Sequence, residues 1–114
     1  MSINELQLQL RQFAIARDWE QFHTVRNLIL ALVGEVGELA ETVQWLGEVE
    51  KDYLKMNPEK LKEFSEEIAD IFIYLLRIAD VTGIDIEKVA FEKMISNEAR
   101  YSVEKSRGNA NKQK

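Results

Sequence analysis

Apolar residues recur along this chain in steps of three and four, and that period predicts helices nearly everywhere. No alternating run of β-branched residues competes with it. The first helix opens on Ser2-x-x-Glu5, where hydroxyl and carboxylate can cap each other's backbone N–H groups, and carries Ile3, Leu6, Leu10 and Phe13 to about Ala16. After a loop from Arg17 to His23, the Thr24 hydroxyl can cap a second helix that runs to Trp45 or Leu46 before Gly47. A polar connection follows, with room for an extra turn around Val49 to Leu54. Asn57-Pro58 restarts the helix, since proline at the first helical position gives up an N–H that has no partner there. This third helix reaches about Val81 before Thr82-Gly83, and Asp85 caps a fourth from Ile86 to about Val103. The expected fold is all-α, one domain over residues 1–104 with a polar tail, 105–114, expected to be disordered.

Placed at about 100° per residue, Leu28, Leu32, Val36, Leu39, Val43 and Leu46 form the core stripe of the second helix. Phe64, Ile68, Ile71, Phe72 and Leu75 form that of the third. Leu30 and Ile73 point away from their own stripes, so both helices are apolar on more than one side. A second subunit is expected to cover the extra side.

Composition narrows the classes. A net charge of −5 supplies no basic stripe to replace counterions on a nucleic-acid polymer, so none is expected as partner. No apolar run reaches the roughly 20 residues a membrane helix needs, so no membrane partner is expected either. Residues 1–12 lack a basic segment followed by an apolar one, and a cytoplasmic location is expected. The absence of cysteine excludes disulfides and thiolate metal sites.

Two acidic pairs interrupt the apolar stretches: Glu35-x-x-Glu38 on the second helix and Glu67-x-x-Asp70 on the third. Residues three apart share a helix side, so two adjacent helices could aim these carboxylates at one point. Like charges so concentrated call for a cation, and hard oxygens without sulfur or clustered imidazole suit Mg²⁺, or Mn²⁺ in its place. Either pair taken alone is compatible with ordinary solvated charge. Glu63, Tyr74 and Arg77 continue the stripe of the second pair. Gly34 and Gly37 lie among the acids, each costing about 1 kcal/mol relative to alanine, which either close helix packing or room for a metal and its waters would explain.

The acids, the segment RDWEQFHTVRNLILALVGEVGELAETVQW, the segment EEIADIFIYLL and the spaced Lys93, Asn97, Arg100 and Tyr101 closely resemble the MazG superfamily of all-α nucleoside triphosphate pyrophosphatases, and within it the dCTP pyrophosphatase branch. The resemblance implies a four-helix MazG-like bundle assembled as a dimer or dimer of dimers. It implies Mg²⁺-dependent hydrolysis of a deoxynucleoside triphosphate, dCTP or a modified dCTP favoured, to the monophosphate and pyrophosphate, as a cleansing of the nucleotide pool. Glu35, Glu38, Glu67 and Asp70 are then the metal and catalytic acids. Tyr74, Lys93, Asn97, Arg100 and Tyr101 would contact triphosphate or sugar. Spacing alone reads Lys93, Asn97 and Tyr101 as a solvated face. Trp19, Phe22, His23, Asn27 and Trp45 are the base-side candidates, because aromatic faces stack on any base. As core or interface aromatics they would need no ligand. Two positions depart from the branch: Leu10 stands where it carries histidine, and Ser102 where proline commonly follows the Arg-Tyr pair. Hydrolysis of dUTP or another dNTP, and a non-catalytic helical interaction module, are the alternatives.

Overall fold

The computed structural model describes residues 1–47 and 50–113. Among them there is no strand. The helices are α1 (Ile3–Ala16), α2 (Val25–Val43), α3 (Glu50–Met56), α4 (Pro58–Thr82), α5 (Ile86–Arg100) and α6 (Val103–Ser106), with a 3₁₀ turn at Glu20–Phe22. None is long and apolar enough to cross a membrane. The all-α expectation holds. The chain divides into two compact units, Met1–Gly83 and Ile84–Lys114.

In the first unit the caps form as their residue types dictate. Ser2 Oγ accepts from Glu5 N at 3.1 Å while Glu5 Oε2 accepts from Ser2 N at 3.2 Å. Thr24 Oγ1 accepts from Asn27 N at 3.1 Å, which starts α2. That helix ends a turn earlier than expected, at Val43. Of the extra turn expected around Val49 to Leu54, Val49 lies outside the described residues; α3 begins at Glu50. Asn57 does not cap α4 through its side chain. Its Nδ2 donates instead to Tyr53 O at 2.7 Å and closes α3, while Pro58 opens α4. Gly83 ends α4 with φ of 73°, a left-handed conformation that glycine adopts without a Cβ penalty, and its N–H reaches the carbonyls of Ala79 and Asp80.

Helix α4 is the hub of this unit, packing most extensively on α2 and also on α1 and α3. Its buried residues are Leu76, Arg77 and Ala79; Ala14 of α1, Leu28 of α2 and Leu54 of α3 are the other buried residues among those described, Leu54 lying toward the start of α4 beside Leu61 and Phe64. Gln7 Nε2 ties α1 to α4 by donating to Leu76 O at 3.1 Å. Arg11 adds a two-point pair with Asp80, at 2.6 and 3.0 Å. The expected core stripes are only partly covered. Val36 of α2 and Ile68, Phe72 and Leu75 of α4 are exposed, as is Leu30 at 60%. The reason is position along α4 rather than side: Ile68, Phe72, Leu75 and Ala79 share one face, and burial is found at Leu76 and Ala79, toward the end that α1 covers through Gln7 and Arg11. Ile73, expected to be the outlying residue, lines a cavity instead.

In the second unit, Asp85 Oδ1 accepts from Lys88 N at 3.2 Å and caps α5. Rather than continuing to Val103, α5 ends at Arg100, and Tyr101 leaves the helix with φ of −110° and ψ of 59°. Ser102 then takes φ of −59°, close to the value a proline ring would enforce, and precedes the short α6. The break is thus made without the proline.

Leu76 has 1% of its surface exposed. Truncating it removes packed methylenes and leaves a cavity between α1 and α4. Leu76→Ala should lower unfolding free energy by about 2–5 kcal/mol, measured by urea denaturation at matched protein concentration.

Candidate active site

Helices α2 and α4 present the acids. Glu35 and Glu38 lie one turn apart on α2, and Glu67 faces them from α4. Each offers one carboxylate oxygen to a group whose members all lie within 4.8 Å of one another. Asp70, expected as a fourth member, is not in this group. Its side chain is exposed, and with one methylene fewer than glutamate it reaches less far, although its charge still acts on Glu35 and Glu67.

The oxygens lack donors. Glu35 Oε2 and Glu67 Oε2 are both buried, and no hydrogen-bond partner reaches either. A carboxylate only accepts, so carboxylates facing one another need a shared proton or a cation. Burial, followed by the charge of Glu38, pushes Glu35 up to about 7. Burial and then Glu38 also raise Glu67 above its ordinary range. Three hard oxygens around donor-less buried atoms fit a divalent cation such as Mg²⁺ or Mn²⁺. Gly34 and Gly37 lie beside them, and an added Cβ at either would meet nothing within 4 Å. Close packing within this chain therefore does not account for these glycines.

Beside the acids opens a cavity of about 520 Å³, walled by Trp45 and Tyr53, carrying Lys60 and Glu63 at its rim, and reached by Glu38 and Glu67. A second cavity of about 280 Å³ lies further along α4, between Tyr74 and Arg77 on that helix, Leu10 and Phe13 on α1, and Trp19 and His23 in the following loop. The Phe13 and Trp19 rings meet edge to face with centroids 5.7 Å apart, and His23 lies 6.4 Å from Trp19. Leu10 thus stands on the wall of this second cavity.

The base-side candidates are divided between these spaces. Trp19 and His23, together with Tyr74, line the smaller cavity; Trp45 belongs to the larger. Phe22 lines neither and is 58% exposed. Asn27 spends an amide hydrogen on Phe22 O at 3.0 Å and so braces the loop. In the second unit, Arg100 Nη2 donates to Asn97 Oδ1 at 3.2 Å, and its guanidinium lies 5.1 Å from the Tyr101 ring. Lys93 is exposed on α5. Because Tyr101 has left the helix, the expected row of Lys93, Asn97 and Tyr101 reduces to Lys93 and Asn97. Periodicity did not single out Phe13 as a cavity residue, since a Phe at that step reads as core. Arg77 was legible only as the end of the α4 polar stripe.

The folded protein holds a proton on Glu35 to about pH 7, whereas an unperturbed glutamate loses it at 4.5. More protons are bound folded than unfolded in that window, so the group's stabilising effect is lost as pH rises through it. In EDTA, the melting temperature of the wild type relative to Glu35→Gln should fall from about pH 5 to about pH 7.5. Mg²⁺ should restore it at the upper end, because the cation takes the proton's place. A difference that does not change with pH would contradict the buried, donor-less carboxyl.

The chain is similar to known proteins over most of its length. Residues 23–100 match the MazG nucleotide pyrophosphohydrolase domain. The chain is 46% identical over 99 residues to dCTP pyrophosphatase 1 of Rattus norvegicus, an alignment covering 87% of this chain and 58% of the rat protein. It is 43% identical over 101 residues to dCTP pyrophosphatase 1 of Homo sapiens, covering 89% of this chain and 59% of that one. The chain therefore spans less than two thirds of these relatives' length. A solved pyrophosphatase from Archaeoglobus fulgidus superposes with a TM-score of 0.79 at 36% identity, covering 87% of this chain and 91% of its own. The match to residues 23–100 contains both acid-bearing stretches, and the chain belongs to the MazG nucleotide pyrophosphohydrolase domain family.

Proposed function

We propose that this chain hydrolyses a deoxynucleoside triphosphate to the monophosphate and pyrophosphate, with dCTP or a modified dCTP preferred, as a cleansing of the nucleotide pool. The observation that carries the reading is the pairing of two features on α4. A donor-less carboxylate cluster is centred on Glu67, and an aromatic cavity opens at Tyr74. Seven helical steps separate Glu67 from Tyr74, a rise of about 10 Å, which suits a phosphate chain at one end and a base at the other. The names of the relatives support the choice of nucleotide.

In this reading Glu35, Glu38 and Glu67 hold Mg²⁺, with Asp70 close enough for its charge to count. Once bound, the cation neutralises phosphate charge and lowers the proton affinity of water. The remaining work is positioning. Hydrolysis at the α-phosphorus needs water and leaving pyrophosphate in line, and an ionised carboxylate of the cluster orients that water and takes up its proton. Tyr74 lies one turn beyond Asp70 on the path from the cluster to the cavity, where its hydroxyl serves the sugar or triphosphate. Trp19 and Phe13 supply ring faces for the base, and Trp45 walls the phosphate end. On the resemblance, Lys93, Asn97, Arg100 and Tyr101 of the second unit are further candidates for triphosphate or sugar contacts.

The working unit is a homo-oligomer, a dimer or dimer of dimers. Its support is the apolar surface a single chain leaves open, Ile29, Val33 and Val36 at helical spacing on α2 and Ile68, Phe72 and Leu75 on α4. Sedimentation at micromolar concentration should give a species of at least two chains. A 13.2 kDa monomer would contradict this.

Each dNTP incubated with the protein and Mg²⁺, against an EDTA control, should yield monophosphate and pyrophosphate, fastest from dCTP or a modified dCTP. Release of single phosphate, or no turnover of any dNTP, would contradict the proposal. Glu38→Gln and Asp70→Asn should each lower kcat by about a hundredfold or more. Wild-type turnover by either variant at saturating Mg²⁺ would remove that acid from the site.

A further inference from the structure

The cavity on α1 and α4 contains a buried cation that serves neither the acids nor the apolar core. Arg77 is 4% exposed, and its guanidinium is shared between two partners. Nη1 donates to Asp80 Oδ2 at 2.8 Å, and Nε donates to His23 Nδ1 at 3.2 Å. Asp80 is in turn gripped from α1 by Arg11 through both carboxylate oxygens. The chain Arg11, Asp80, Arg77, His23 therefore links α1, α4 and the loop after α1 in one line of charge-assisted hydrogen bonds.

That line decides the state of the imidazole. An arginine Nε carries its hydrogen at every accessible pH, so the ring nitrogen facing it must present a lone pair. With Nδ1 fixed as acceptor, the neutral ring carries its proton on Nε2. Charging the ring would put an N–H against the guanidinium N–H and break the contact. The groups facing His23 agree. Burial opposes a charge there first and Arg77 next, and Asp80 is already paired with Arg77 and Arg11; Glu20 of the 3₁₀ turn alone favours the charged ring. His23 accordingly titrates below its ordinary range.

We propose that Arg77, held by Asp80, is a positioning residue that keeps His23 as its neutral Nε2–H tautomer, so that His23 donates to the ligand of this cavity. The ligand class follows from the walls. Phe13, Trp19 and Tyr74 offer ring faces, Leu10 and Ile73 are apolar, and His23 Nε2–H is the donor that the Arg77 contact fixes. Such a space takes a planar heteroaromatic ring that turns an acceptor, a carbonyl oxygen or an unprotonated ring nitrogen, toward His23. For cytosine this is the O2 and N3 edge, and the exocyclic amine must face elsewhere. This inference rests on the nucleotide reading above and adds the edge by which the base is read.

His23 is the sole histidine of the chain, so its ring nitrogens can be observed without assignment. Long-range proton–nitrogen correlation spectra of the full chain near neutral pH should show Nδ1 as acceptor and Nε2 protonated. Titration with dCMP in EDTA should move the Nε2 signal and leave Nδ1 in its acceptor position. Arg77→Met should mix the tautomers, and Arg77→Lys, which keeps a donor, should restore the wild-type pattern in part. Should Arg77→Met fail to fold, the wild-type spectra decide the tautomer. In turnover, His23→Phe should raise KM by about tenfold with kcat little changed, and His23→Gln, whose amide keeps a donor, should recover much of that loss. An Nδ1–H tautomer in the wild type, a folded Arg77→Met with unchanged tautomer, or dCTP turnover with no Nε2 response to dCMP would overturn the inference. An Nε2 response without turnover of any dNTP would support it while refuting the hydrolysis.

Discussion

The structure turns on buried carboxylate oxygens with nothing to donate to them. Glu35 and Glu67 face each other across α2 and α4 with one buried oxygen apiece left bare, and Glu38 adds a third charge within 4.8 Å. A fold built for stability alone would replace such a cluster with apolar groups, because uncompensated buried charge is costly. Its place on the most extensive helix contact of the first unit fits the proposal that α2 and α4 form a frame for a cation. Burial first, and the charge of Glu38 after it, raise the proton affinity of Glu35, so that a proton does part of the work a divalent ion would do.

Helix α4 sets the spacing of everything else. One stripe carries Glu63, Glu67, Asp70, Tyr74 and Arg77 in steps of three and four, so acids, a hydroxyl and a buried guanidinium follow one another along a straight edge. The uninterrupted run from Pro58 to the left-handed Gly83 keeps that edge rigid. Helix α1 and the loop after it then close a cavity over the far end. The Arg11–Asp80 pair and the Gln7–Leu76 bond hold them there. The same helix surrenders apolar surface to solvent at Ile68, Phe72 and Leu75, consistent with the proposal that the frame is completed by another copy of the chain.

Much of this was legible in the sequence because it is local. The capping box at Ser2 and Glu5, the Thr24 and Asp85 caps, and the glycine stop at Gly83 depend on neighbours within a turn, and each forms as its residue types require. The acid pairs were legible for the same reason, since a three-residue step on a helix fixes a side. What depends on partners distant in the chain was not. The period could not say which stretch of the apolar face of α4 another helix would cover, so Leu76 and Ala79, beside α1, are buried while Ile68 and Phe72 on the same face are exposed. Nor could it foresee that Asn57 would turn back to Tyr53, that Tyr101 would leave α5, or that Asp70 would fall short of the other three acids. Arg77 and Phe13 gained their place through contacts made only when α1, the loop and α4 come together.

The central claim is that one edge of α4 binds both ends of a nucleotide. Its most direct measurement is the structure of the full chain with Mg²⁺ and a dCTP analogue whose α,β-bridging oxygen is replaced by an imido group, so that it resists cleavage. The account predicts the cation among Glu35, Glu38 and Glu67, the phosphates beside it, and the base in the cavity of Trp19, Tyr74 and His23. A cation held elsewhere, or a base lying outside that cavity, would contradict it.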